Sequence, residues 1–66
     1  MNRNTLTAEI AELEALLATV ADSSDPEDQF GARMFRRAIT LCQVRMRALD
    51  EGRNPDAAVE KVLMSG

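Results

Sequence analysis

Cys42 is the single cysteine of this chain, histidine is absent, and the 66 residues carry 8 basic and 11 acidic side chains. Those counts decide most of the chemistry. Without histidine the commonest general base is gone. Without a second cysteine there is no intramolecular disulfide, and the usual nitrogen and sulfur ligands of a zinc site are lacking. Cys42 falls on an apolar stripe, where a thiol behaves as a small buried hydrophobe rather than a nucleophile. Glu9 and Glu12 share a helix face and could touch a cation, but an exposed pair of acids is ordinarily just hydrated. Gly31, Gly52 and Gly66 lie too far apart to build a phosphate-cradling loop. The sequence therefore predicts no enzyme, no catalytic residue, no metal and no cofactor.

Arginine is the residue with a chemical message. Between Phe30 and Leu49 every charged side chain is an arginine, whereas the stretch from Leu6 to Pro26 holds only acids among its charged residues. Arg33, Arg36, Arg37, Thr40, Gln43 and Arg47 share one arc of a helix. The guanidinium fork binds carboxylate or phosphate in two-point fashion, so this stripe suits an acidic protein surface or a nucleic acid. The acidic net charge of -3 and the absence of tryptophan and tyrosine weigh against nucleic acid. A plainer reading is a hydrated helix face bridged to Glu9, Glu12 or Glu27.

The elements that position this stripe follow from composition and periodicity. Ala, Leu, Glu, Arg and Met dominate, all good helix formers. A first helix is expected over residues 7–22, with Thr5 or Thr7 as cap and a seam of Leu6, Ile10, Leu13, Leu17 and Val20 spaced 4-3-4-3. Ala8, Ala11, Ala15 and Ala18 line its opposite face, more simply through helix propensity than as a docking groove. Asp25-Pro26-Glu27-Asp28 is a strong helix start, and Gly52 a left-handed stop, so the second helix is expected over residues 26–51. Gly31 weakens its first turns by about 1 kcal/mol relative to alanine. Asn54-Pro55-Asp56 repeats the start signal for a third helix over residues 55–64, with Ser65 and Gly66 frayed.

The second helix carries two apolar stripes. One is Phe35, Ile39, Cys42, Met46 and Leu49; the other is Phe30, Met34, Ala38, Leu41, Val44 and Ala48. At 100° per residue they stand roughly 130° apart. Met34 and Met46 read as core. One stripe can take the chain's own short helices. At about 1.5 Å per residue the first helix covers the N-terminal part of the second, and the third covers its C-terminal part. The other stripe then wants a second chain, with Phe30, Met34, Ala38, Leu41, Val44, Arg45 and Ala48 as the self-association surface. A monomeric three-helix bundle is the alternative. Arg45 points into the apolar arc and calls for a carboxylate, such as Glu14 or a residue across a dimer seam.

The expected fold is therefore all-α: a single domain over residues 1–66, with two main antiparallel helices and a short C-terminal one, packed as a homodimeric helical bundle. A chain of this size buries little surface alone, which favours association. The lone thiol fits a reducing compartment, no signal peptide is visible and no apolar run spans a bilayer, so the expected location is the cytoplasm, away from membranes. The expected function is a non-catalytic protein–protein interaction module that docks on a larger complex and modulates it, inhibition being one form of this. The alternatives are a small RNA- or DNA-binding regulator that uses the arginine stripe, and an accessory subunit of an enzyme.

Overall fold

A computed structural model describes residues 2–65. The described residues form three helices and no strand: α1 (Arg3–Val20), α2 (Pro26–Asp50) and α3 (Pro55–Ser65). The all-α expectation and the two long packed helices are thus found, with boundaries close to those read from the sequence.

Each helix start is closed by a side-chain oxygen. Asn2 Oδ1 accepts from Thr5 N at 2.8 Å, Asp25 Oδ1 from Glu27 N at 2.9 Å, and Asn54 Oδ1 from Asp56 N at 2.9 Å. Pro26 and Pro55 begin their helices at the position where a missing N–H costs nothing. The end of α2 is a Schellman turn: Gly52 has φ 72°, its N–H bonds Leu49 O at 3.1 Å, and Arg53 N–H bonds Ala48 O at 2.7 Å.

The first helix starts earlier than expected. Asn2, not Thr5 or Thr7, is its cap, and the Thr7 hydroxyl instead donates to Arg3 O at 2.9 Å inside the helix. It also ends earlier, at Val20 rather than Asp22. The extra N-terminal turn carries Arg3 to an ion pair with Asp50 at the far end of α2. So α1 runs along most of α2, not only along its N-terminal part. Ser65 is the last residue of α3, and Gly66 lies outside the described residues.

The arrangement is a layer, not a bundle. Both flanking helices pack on α2, but no Cα of α1 comes within 8 Å of one in α3. The Cα trace measures 40 × 27 × 12 Å, so it is less than half as thick as it is wide. The two stripes of α2 explain this. Ala32, Phe35, Ile39, Cys42, Met46 and Leu49 are buried or half-buried on the side where Glu9 of α1 reaches Cys42. Val44 faces Ala58 and Val62 of α3, on the other side of α2. Projected at about 100° per residue, these two sides lie nearly opposite each other. The short helices are therefore held at the left and right of α2 and leave its front and back uncovered.

Burial is correspondingly thin. Among the described residues only Leu6, Ala32, Cys42, Ala48 and Val59 are buried, and all are apolar. Leu16, Phe30, Met34, Val62, Leu63 and Met64 are exposed although large and apolar. Met34, expected as core, is 51% exposed, because it lies on the broad face of α2 that neither short helix covers.

Candidate interaction faces of the helical layer

Two broad faces are left on the layer, and α2 contributes differently to each. On one, Phe30, Met34, Ala38, Leu41 and Arg45 fall within a narrow arc of the helix. Leu41, Ala38 and Cys42 of α2 form, with Leu13 and Leu16 of α1, the floor of an apolar groove whose α1 edge carries Glu9 and Glu12 and whose α2 edge carries Arg45. Its volume is about 380 Å³. That reaches the lower end of the range for small-molecule pockets, but the groove lies open along the helices instead of closing around a ligand. Leu41 also borders a second groove, shared with Val62 and Leu63 of α3 and with Arg37 and Thr40. The apolar surface thus continues across all three helices.

Of the seven residues expected on a self-association surface, Phe30, Met34, Ala38, Leu41 and Arg45 lie on this face. Phe30 and Met34 are exposed, and Ala38, Leu41, Val44 and Arg45 are half-buried. Ala48 is wholly buried within the chain. With Val44 it serves the α3 side of α2, so these two positions belong to the chain's own packing. Leu16, which the seam spacing of the first helix left out, is 44% exposed on the groove. Its signal was present in the sequence: it stands one turn from both Glu12 and Leu13, on the shoulder of the seam.

Arg45 does find a carboxylate, but not Glu14. Asp56, in the first turn of α3, has Oδ1 3.8 Å from Arg45 Nε. That distance is a charge contact and no hydrogen bond, and the buried Nε has no hydrogen-bond partner. Arg45 thus borders the groove with its donors incompletely used, facing the side of the layer where Glu9 and Glu12 stand.

Cys42 is 3% exposed, and its thiol donates to Glu9 Oε2 at 3.7 Å. Burial above all, and then the negative charge of Glu9, push the thiol pKa up. A thiol held protonated beneath apolar side chains is a packing element, not a nucleophile.

The opposite face is polar. Arg33, Arg36, Gln43 and Arg47 are exposed there, as are Arg37 and Thr40 nearer the α3 edge. Among the described residues no carboxylate lies within 4 Å of Arg33, Arg36 or Arg37, so the bridges considered to Glu9, Glu12 and Glu27 do not form. Arg47 has Glu51 3.9 Å away across one helical turn. The Thr40 hydroxyl is taken by Arg36 O at 3.0 Å, which makes it a spacer on this stripe. Ala8, Ala11, Ala15 and Ala18 are all exposed, with no helix of this chain against them.

No group of three or more metal-ligating side chains comes together among the described residues. No helix among them is long and apolar enough to cross a membrane. Comparison with known proteins adds no relative: no family model matches the chain, and neither does any curated protein or solved structure.

Proposed function

We propose that this chain is a non-catalytic interaction module of the cytoplasm that docks on a larger protein and modulates it, with Arg33, Arg36, Arg37, Gln43 and Arg47 meeting an acidic surface. One observation carries the reading. In a chain with 11 acidic residues, three neighbouring guanidinium groups have no carboxylate within 4 Å among the described residues. Exposed arginines in a row present several donors of fixed geometry, and a carboxylate-rich partner supplies both the charge and the acceptors. The cytoplasmic part rests on the lone, buried, protonated thiol, which suits a reducing compartment. Regulation by occupancy, inhibition included, needs no chemistry from the module itself.

Affinity capture from the native host tests this, with the intact complex weighed and the wild type compared with Arg33→Glu/Arg36→Glu. The expected result is one dominant protein partner, lost on charge reversal. Retention of the same partner by the reversed variant refutes the arginine face as the docking surface.

The same unpaired arginines favour a second reading, a small RNA- or DNA-binding regulator. Binding to an oligonucleotide would then fall steeply with salt and with Arg36→Ala. No oligonucleotide binding at low salt eliminates it. A third reading, an accessory subunit ordered only on its enzyme, requires the isolated chain to be poorly helical, and a cooperative melt of the purified chain removes it.

A further inference from the structure

The apolar face of the layer, opposite the arginines, also lacks a cover. We infer that it is covered by the same face of a second copy, giving a two-layer sandwich in which the α1–α2 groove of each chain lies on that of its mate, α2 over α1, and the arginine faces point outward on both sides. This goes beyond the docking function and does not depend on the identity of the docked protein.

Three observations select a second copy. The first is area. A folded monomer of 7.3 kDa is expected to expose about 4,200 Å², whereas this chain exposes 4890 Å². The excess of about 700 Å² is close to the 800 Å² or so that each partner contributes to an interface of standard size. The second is shape. The radius of gyration is 13.2 Å, against about 11 Å for a compact domain of this length. Stable domains have at least two layers around a core, and this chain supplies one. A second identical layer completes the architecture without any other component.

The third is charge. A two-fold interface brings one surface against itself, so the surface must be its own complement. The groove between α1 and α2 meets that condition: its floor is apolar, its α1 edge carries Glu9 and Glu12, and its α2 edge carries Arg45. Turning one copy over on the other sets the arginine edge of each against the acidic edge of its mate. It also gives Arg45, whose Nε lacks a hydrogen bond and whose contact with Asp56 is long, a stronger counter-charge. Leu16, Phe30, Met34 and Leu41 would lose their exposure in the same step.

Sedimentation of the purified full chain, up to about 1 mM, is the test, a concentration that half-saturates even an association of only about -4 kcal/mol. The expected species has twice the 7.3 kDa chain mass. Leu41→Glu buries an unpaired charge and should weaken association about 100-fold or more. Because Leu41 is half-buried and its change could harm the fold, Met34→Glu, at a position 51% exposed, is the parallel variant with the same expected outcome. Glu12→Arg places arginine against the mate's Arg45 and should weaken association about tenfold, whereas Arg33→Glu/Arg36→Glu should leave it intact. A wild type that stays monomeric overturns the inference, as does a Met34→Glu or Glu12→Arg chain that pairs like the wild type. Loss of the captured protein partner by a Met34→Glu chain whose wild type is monomeric would assign the face to that partner instead. Failure of the arginine variants to lose a partner leaves this result untouched, so the two proposals fail separately.

Discussion

The two faces of the layer are built on the same 25-residue helix, yet they differ in what water does to them. The arginine face is complete as it stands. Its side chains are exposed, and Arg47–Glu51 is its one ion pair among the described residues. The apolar face exposes Phe30, Met34 and Leu16, and keeps an arginine whose buried nitrogen is unpartnered. A face of the first kind can wait for a partner; a face of the second kind is unfavourable in water until it is covered. The difference separates two roles, recognition on one side and assembly on the other.

The largest effect expected is on neither face. Leu6 is fully buried in the α1–α2 seam, and Leu6→Ala should cost about 2–5 kcal/mol in a denaturant melt. A loss this large beside a small loss for Met34→Ala within the monomer would sharpen the comparison, since the seam and not the face then holds each chain together. Equal losses would break it. Next comes the C-terminus of α2. Gly52 stands at φ 72°, and Gly52→Ala should lower stability by about 1 kcal/mol, because that turn keeps α3 beside Val44 and Ala48 and leaves the apolar face open. Gly31→Ala should raise stability by up to about 1 kcal/mol. The added Cβ would meet only Phe35 Cε2, at 3.9 Å, an ordinary contact. A loss there would mean that the N-terminal end of α2, near Phe30 and Met34, is more closely packed than the open face implies.

A pH titration probes the interior between the two faces. The Cys42 thiol titrates higher in the folded chain than in the unfolded one. Below the ordinary thiol value of 9.0 both states hold the proton, and its contribution is fully present. As pH climbs past 9.0 the unfolded chain ionises first, so stability falls. The wild type should lose stability in that alkaline window, measured by melts at fixed pH, and Cys42→Ala should lack that component. The smallest effect belongs to the arginine face: Arg36→Ala should change stability by no more than about 0.5 kcal/mol, since no carboxylate partner is lost.

How much of this was legible in the sequence depends on range. The starts of α2 and α3 and the glycine stop at Gly52 were legible, because a cap is a local event within four or five residues. The start of α1 was not, because Asn2, Thr5 and Thr7 compete as caps and only the reach of Arg3 to Asp50 separates them. Both apolar stripes of α2 were legible from spacing alone. Their allocation was not: spacing gives the angle between stripes, but not the side on which a short helix returns after a tight turn. That side decides why Ala48 is buried by its own chain, why Met34 stays exposed and why Arg45 meets Asp56 rather than Glu14. Exposure of the arginines was expected, but their freedom from Glu9, Glu12 and Glu27 depends on distances between helices that no one-dimensional pattern holds.

Thermal unfolding followed by circular dichroism across about a hundredfold range of chain concentration is the most direct measurement. If the layer is finished only by a second layer, dissociation and unfolding are linked, and the midpoint must climb as the chain is concentrated. A sharp transition at one unchanging temperature throughout would mean that a single layer is sufficient by itself, and would contradict the account.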